Sequence, residues 1–148
     1  MEVVIRNAVM TDRSFVLSSW LKSYRKARYF DGWDNKRYYS DENGYQHRIK
    51  QILNRVETRL VVAHFEEDPD EILGWAAGEP PDGLHYVYVK QPFRNSGTPN
   101  GEEDLNLADR LISAICPRFG IVGTICSSTC NNWPMLRDSY KLIFNPYL

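Results

Sequence analysis

Hydrophobic and polar positions alternate along the chain in a way that predicts short strands separated by amphipathic helices. Apolar residues spaced three and four apart indicate helices, whereas short runs rich in β-branched and aromatic residues indicate strands. The predicted strands cover 3–5, 60–65, 71–78, 84–89, 120–126 and 142–148. The predicted helices cover 11–27, 45–57, 105–115 and 131–141. This order, β-α-α-β-β-β-α-β-α-β, predicts an α/β (α+β) domain whose mixed sheet has helices packed on its faces.

Local signals refine three of these elements. Thr11 is expected to cap the first helix, with Asp12 in its first turn, where the helix dipole favours an anion. The second helix is expected to bury Val56 on the same face as Ile49, Ile52 and Leu53. Residues 28–44 are rich in rings and charges and are predicted to form a loop with surface-facing aromatic side chains.

Composition narrows the class of protein. The 148 residues are 43% hydrophobic, without an internal repeat or an interdomain linker, so we expect 1–148 to form one domain. No apolar run approaches the roughly 20 residues that span a bilayer, and the first residues lack the pattern of a signal peptide. We therefore expect a soluble cytoplasmic protein without a membrane partner. The three cysteines form no CxxC pair, so neither a disulfide framework nor a zinc site is predicted, and no metal is expected.

The net charge of −1 conceals an asymmetry between the two halves of the chain. Residues 1–59 contain twelve Lys and Arg against seven Asp and Glu, whereas 60–148 contain six against twelve. A basic half could meet an acidic partner, or it could be the solvated face of a helix. Nothing else in the sequence is typical of a nucleic-acid-binding motif, so a nucleic-acid partner is not expected.

A candidate phosphate-binding loop follows the predicted strand that ends at Val89. Arg94 and Gly97 lie in this loop, and a helix is predicted after it. Backbone N–H groups at such a junction can converge on an anion, and the helix N-terminus adds positive potential. Gly97 would permit close approach of a ligand, and Arg94 could donate a charge-assisted hydrogen bond. A plain surface turn would explain Arg-x-x-Gly equally well.

The motifs surrounding this loop resemble those of the GNAT superfamily of N-acetyltransferases. Ile5-Arg6-Asn7-Ala8 resembles the first strand of that family, and Ile72–Gly78 resembles its central hairpin strand. Val87-Tyr88-Val89, followed by Arg94 and Gly97, matches the spacing of the acyl-coenzyme A motif. The resemblance extends over nearly the whole chain and includes Asn132 and Tyr140–Phe144. It implies a GNAT-like sheet that is mixed and mostly antiparallel.

The resemblance also implies a co-substrate and its contacts. Acetyl-CoA would bind with its pantetheine arm along the backbone of Val87, Tyr88 and Val89, and with its pyrophosphate in the following loop. The residues of that loop are Arg94, Asn95, Ser96, Gly97 and Thr98. Asn132 would face the arm of the cofactor. The other substrate would be an amine, on a small molecule or a protein, which attacks the thioester directly.

Three side chains are candidates for proton transfer in such a reaction. Glu79 could act as the base, directly or through water, or it could be a solvated carboxylate at a turn. His85, with a side chain that titrates near neutrality, could be the base or a hydrogen-bonded structural histidine. Tyr140 could protonate the leaving thiolate or serve only in packing, since it stands four residues before Phe144 and the usual tyrosine of the family stands five before.

A departure from the family pattern leaves a second function open. Pro99 occupies a position where the family has a small residue, and it lacks the N–H that could bind a phosphate. Three acids, Glu102, Glu103 and Asp104, follow it closely. The alternative is therefore a GNAT-fold protein without catalysis that binds a macromolecule. Its interface would be the basic N-terminal half together with the rings at 29–39.

Overall fold

The central sheet is built from segments rich in β-branched and aromatic residues, which suit a pleated and largely buried surface. The computed structural model describes residues 2–25, 34–93 and 106–116, and the backbone of 124–125 and 143–144. Four consecutive neighbours in this sheet are antiparallel: β1 (Val3–Asn7), β2 (Arg59–Phe65), β3 (Gly74–Glu79) and β4 (Gly83–Val89).

Two short parallel pairings extend the sheet beyond β4. Strand β5 (Thr124–Ile125) pairs with Gly83 and Leu84 at the start of β4. Strand β6 (Ile143–Phe144) pairs in turn with β5, also in parallel. The described sheet is therefore mixed and mostly antiparallel, with the strands in the order β1 to β6.

Helices pack on both faces of this sheet. The described helices are α1 (Arg13–Tyr24), α2 (Asn35–Tyr38), α3 (Tyr45–Leu53) and α4 (Leu107–Ser113). Short 3₁₀ helices occupy Met10–Asp12 and Gln91–Phe93. Helices α1 and α3 share one face of the sheet, and α4 covers the other. Both faces are covered because alternate strand residues point to opposite sides and both sets include large apolar side chains.

The two faces bury different kinds of side chain. The face under α4 is aliphatic, and its buried members include Ala76, Leu84, Val87, Leu111 and Ile112. The face under α1 and α3 is largely aromatic, and its buried members include Trp20, Tyr24, Tyr38, Trp75 and Tyr86.

The predicted fold class is confirmed, and the element boundaries differ by a few residues. Strand β3 begins at Gly74 rather than at Glu71. Helix α4 spans Leu107–Ser113, inside the predicted 105–115. The expected helix at 131–141 lies outside the described residues, and the expected strands at 120–126 and 142–148 are described only at 124–125 and 143–144.

Three local expectations were wrong. Helix α1 begins at Arg13, so Thr11 is not its cap and lies instead in the preceding 3₁₀ helix. Tyr38 does not face the surface: it is fully buried, and its hydroxyl donates to the Leu21 carbonyl at 2.7 Å. Helix α3 ends at Leu53, which leaves Val56 97% exposed rather than on the buried face.

Candidate functional site

A β-bulge in β4 determines where His85 lies. Tyr86 pairs with Ala77 in β3, but the next described pair joins Leu84 to Gly78, so His85 is an extra residue in β4. Leu84 and Val87 both belong to the aliphatic core under α4, whereas Tyr86 belongs to the aromatic core. A bulge of this kind changes the direction of a side chain without ending the strand. Here it places a histidine in the interior of the hairpin.

His85 and Glu79 form a hydrogen-bonded pair within this hairpin. The Nε2 atom of His85 lies 2.6 Å from Oε2 of Glu79. The histidine is fully buried, whereas 21% of the Glu79 side chain is exposed. Glu79 is the last residue of β3, and His85 follows it across the β3–β4 turn. The carboxylate therefore reaches solvent, and the imidazole lies behind it.

Burial determines the protonation state of the imidazole. Desolvation lowers the pKa of His85, and Glu79 opposes this effect because a nearby carboxylate favours the charged imidazolium. The net direction is downward, so His85 is neutral at neutral pH. A neutral imidazole donates through one nitrogen only, and the 2.6 Å contact assigns that proton to Nε2. His85 thus acts as a hydrogen-bond donor to the Glu79 carboxylate.

Two arginines on or near α3 add positive charge to this pair. The Nη1 atom of Arg55 lies 3.4 Å from Oε2 of Glu79, and both side chains are largely buried. Arg48, one turn before Ile52 on α3, is close enough that its charge contributes to lowering the pKa of His85. The group of charged and polar side chains formed by Glu79, His85, Arg55 and Arg48 is called the hairpin site below.

The structure describes five of the predicted site residues. Glu79 and His85 are in contact, as given above. Val87, Tyr88 and Val89 follow in β4, with Val87 and Val89 on the α4 face and Tyr88 against the aromatic core. The described parallel pairing between β4 and β5 covers only Gly83 and Leu84, so these three residues lie beyond it. Seven predicted residues lie outside the described part of the chain: Arg94, Asn95, Ser96, Gly97, Thr98, Asn132 and Tyr140.

Sequence reasoning missed the two arginines of the hairpin site. Arg48 is one of many basic residues in the N-terminal half of the sequence, and no sequence motif distinguishes it from the others. One signal was present, because Arg48 precedes the apolar Ile52 by one helical turn and should share its face of α3. Arg55 follows the end of α3, and its approach to Glu79 depends on the chain path there. Helical periodicity alone does not predict that path.

An acidic cleft of about 510 Å³ lies at the other end of β4, away from the hairpin site. Lys90, just after β4, lies 3.9 Å from Glu71 and also lies over the ring of Phe15. The excess of carboxylates gives the cleft a negative potential, which disfavours a phosphate. The cleft is lined by Thr11, Asp12, Phe15, Asp68, Asp70, Glu71, Ile72 and Lys90.

Comparison with known proteins gives structural matches only. No protein-family model matches the chain, and no curated protein sequence does. Ribosomal-protein-alanine N-acetyltransferase from Brucella melitensis biovar Abortus 2308 is similar in structure, with a TM-score of 0.47 and 12% identity over 97% of this chain and 80% of that one.

Two further solved structures are similar over most of both chains. AAC(6')-Iy, in complex with the bisubstrate analogue CoA-S-monomethyl-acetylneamine, has a TM-score of 0.46 and 14% identity over 98% of this chain and 80% of that one. A transcriptional regulator from Bacillus halodurans C-125 has a TM-score of 0.45 and 16% identity over 93% and 90%. Because identities and TM-scores are low, the fold class is assigned from the element order and sheet register of this chain.

Two other kinds of site are absent from the described residues. Among residues 2–25, 34–93 and 106–116, no helix has the length and apolar character needed to cross a bilayer. Within the same part of the chain, no three His, Cys, Asp or Glu side chains are grouped as metal ligands would be.

Proposed function

We propose that the chain is an acetyl-CoA-dependent N-acetyltransferase that transfers the acetyl group directly to an amine. The observation that carries this proposal is the Glu79–His85 pair at the bulge of β4. It places a partly exposed carboxylate, held by a buried imidazole, at the start of the strand whose later residues carry the resemblance to the acyl-coenzyme A motif. An acceptor amine must lose a proton to react, and a positioned carboxylate is a suitable group to take it.

Three residues of the hairpin site, Glu79, His85 and Arg55, have roles in this proposal. Glu79 accepts the proton of the acceptor ammonium, directly or through one water molecule. His85 donates its Nε2–H to the carboxylate and fixes its orientation, so it is a positioning residue. Arg55 lies beside the same oxygen and forms an ion pair with it.

Acetyl-CoA would supply the activated acetyl thioester in this reaction. The described residues that would hold it are Val87, Tyr88 and Val89, which lie in β4 beyond its described pairing with β5. In this proposal the pantetheine arm would follow this strand, as an extended ligand follows a sheet. The predicted pyrophosphate loop at 94–98 would hold the other end of the molecule.

A second function is favoured by the acidic cleft. Four of its residues are carboxylates, and it lies beside Lys90, only four residues before the predicted pyrophosphate loop. Together with Pro99 and the acids at 102–104, these charges would weaken diphosphate binding. In this second candidate the chain keeps the fold without catalysis and binds a macromolecular partner through its basic N-terminal half.

Calorimetric titration with acetyl-CoA separates the two functions. We expect saturable binding that weakens in Arg94→Ala, because the arginine would lose its contact with the pyrophosphate. Thiol release should then be measured over a panel of amines. Absence of heat and of thermal stabilisation at millimolar acetyl-CoA would support the binding protein instead.

Variants of the hairpin site test the catalytic roles. Glu79→Gln should lower kcat by roughly 10²- to 10⁴-fold, the usual contribution of a general base. His85→Ala should lower kcat, because the carboxylate loses the N–H donor that orients it. Glu66→Gln, an exposed carboxylate in the β2–β3 turn, is the matched control and should behave as wild type. Unchanged kcat in both test variants would contradict these roles.

A further inference from the structure

An exposed apolar surface lies where the loop between β1 and α1 meets the turn after α3. Among the described residues, four large hydrophobic side chains are exposed to solvent, and one of them, Tyr39, follows α2. The other three are Val9, Met10 and Val56, which are 56%, 76% and 97% exposed. This group of three is called the apolar corner below. Single exposed apolar side chains are common, whereas a group of them is typical of a contact surface.

Hydrogen bonds at both ends join the two segments that carry these side chains, 8–13 and 53–60. At one end, the Ala8 N–H donates to the Leu60 carbonyl at 2.8 Å. At the other end, the Arg13 guanidinium donates to two oxygen atoms at the end of α3, both at 2.9 Å. The two segments therefore lie side by side, and the apolar corner occupies one edge of the molecule.

Both segments are held in place beneath the apolar corner. The Val9 N–H donates at 2.8 Å to Asp12, whose carboxylate is buried and is also paired with Arg6. On the other segment, the Thr58 hydroxyl donates at 2.7 Å to a carbonyl in the last turn of α3 and closes the turn that presents Val56. A preformed surface loses little conformational entropy on binding, so its apolar side chains contribute directly to association.

The charges beside the apolar corner have both signs. Glu57 and Arg59 are exposed, and neither makes an ion pair with another residue in the part of the chain that the structure describes. Segments 8–13 and 53–60 contain three arginines and no lysine. An apolar centre, with arginine enriched and lysine depleted around it, is typical of contacts between proteins.

We infer that the apolar corner binds a second copy of the chain across a twofold axis. A twofold contact uses the same surface on both partners, so this surface must be complementary to itself. The apolar side chains of the two copies meet at the centre, and Glu57 of one copy pairs with Arg59 of the partner subunit, twice by symmetry. A surface with charges of one sign would repel its own copy, whereas these opposite charges do not. Self-association of this kind is compatible with either function proposed above.

Sedimentation equilibrium over a range of protein concentrations measures the association. We expect a monomer–dimer equilibrium in the micromolar range, because three apolar side chains from each copy make a small contact. Val56→Glu should weaken the dimer by at least about tenfold, since it places two carboxylates in the apolar centre. Gln91→Glu adds the same charge at an exposed position after β4 and should leave the dimer unchanged.

A charge exchange tests the pairing across the twofold axis. Glu57→Arg and Arg59→Glu each place like charges opposite one another, so each variant alone should associate more weakly than wild type by roughly three- to tenfold. An equimolar mixture of the two variants restores both opposite pairs and should form a mixed dimer of about wild-type affinity. The double variant restores the pairs within a single sequence and should self-associate as the wild type does.

Three results would overturn this assignment. Wild type that stays monomeric at millimolar concentration would exclude a second copy as the occupant of the apolar corner. A dimer that is as strong in Val56→Glu as in wild type would place the contact elsewhere. Charge variants that do not associate when mixed would show that Glu57 does not face Arg59 of the partner subunit. Thermal unfolding establishes that each variant is folded, and Met10→Glu replaces Val56→Glu if the latter is not.

Discussion

The two faces of the sheet achieve burial in different ways. Under α4 the buried side chains are aliphatic, apart from Cys116. Close packing between the helix and the sheet, rather than polar contacts, holds this face together. A Cβ atom on Gly78 would lie only 2.6 Å from Cγ2 of Ile115. The sheet and the segment that follows α4 are therefore too close at this position for a side chain larger than hydrogen. Stability on this face therefore depends on packed volume.

Under α1 and α3 the buried side chains are large rings with polar atoms, and specific hydrogen bonds satisfy several of them. The indole N–H of Trp75 donates to Ser19 Oγ at 2.8 Å, and the hydroxyls of Tyr86 and Ser23 lie 2.8 Å apart. Glu79, His85 and the arginines of the hairpin site are on this face too. Among the described residues, the Glu79–His85 pair thus lies on the face where the core already accommodates polar atoms.

The largest expected effect is on the aliphatic face. Leu111→Ala removes a fully buried side chain and should lower the free energy of unfolding by about 2–5 kcal/mol, since packed surroundings cannot close the cavity. Chemical denaturation measures this change. Val56→Ala, which truncates a side chain that is 97% exposed, is the aliphatic control and should be within about 0.5 kcal/mol of wild type. A Leu111→Ala loss as small as the control would disprove dependence on packed volume.

An intermediate effect is expected for the ion pair beside α1. Arg6 and Asp12 lie 2.8 Å apart, and the Asp12 side chain is only 9% exposed and also accepts the Val9 N–H. Asp12→Asn should lower the free energy of unfolding by about 1.5–3 kcal/mol, the range for hydrogen bonds to charged groups. Asp41→Asn breaks the exposed Asp41–Lys50 pair and should have no measurable effect. Equal losses in the two variants would contradict a role for burial.

The same pair predicts a pH dependence. The hydrogen bond from Arg6 holds the pKa of Asp12 below its usual value of about 3.9. A carboxyl with a lowered pKa in the folded state stabilises the protein fully above the unfolded value, and this contribution is lost as pH falls through the folded value. The stability difference between wild type and Asp12→Asn should therefore be constant above pH of about 5 and shrink below about 4. Denaturation at several pH values measures it.

The smallest effect is expected for a single hydroxyl in the aromatic core. Tyr86→Phe removes the hydrogen bond to Ser23 but keeps the ring, which stacks on Trp20 with centroids 5.2 Å apart. The loss should be about 0.5–1.5 kcal/mol, the net value of a neutral hydrogen bond. A double-mutant cycle with Ser23→Ala isolates the pair. Additive losses would show that the two hydroxyls do not stabilise each other.

The sequence predicted strands better than it predicted helix ends. Runs such as Leu84–Val89 are short and β-branched or aromatic, so their conformation is a local property, and β4 was placed within one residue. The ends of α1 and α3 depend on which side chains meet the sheet. Val56 fits the helical periodicity of α3, yet it is exposed because the helix ends before it.

The candidate site shows the same limit. Glu79 and His85 were selected as separate residues, and their contact depends on the bulge that turns His85 into the hairpin. A bulge of one extra residue cannot be recognised from the amino-acid composition of a strand. Regular alternation would therefore predict that Leu84 and Tyr86 point to the same face of the sheet. Arg48 and Arg55 were missed because their roles arise from distance in space rather than from a motif.

The extra residue in β4 also decides which changes of chain length the protein tolerates. Leu84 and Val87 share a core although an odd interval separates them, because the hairpin changes phase between them. Deleting His85 would restore regular pairing and make Leu84 and Tyr86 neighbours, so alternation would still place them on opposite faces of the sheet. The pairing of β3 with β4 can therefore lose residue 85, whereas the hydrogen bond to Glu79 cannot survive that loss.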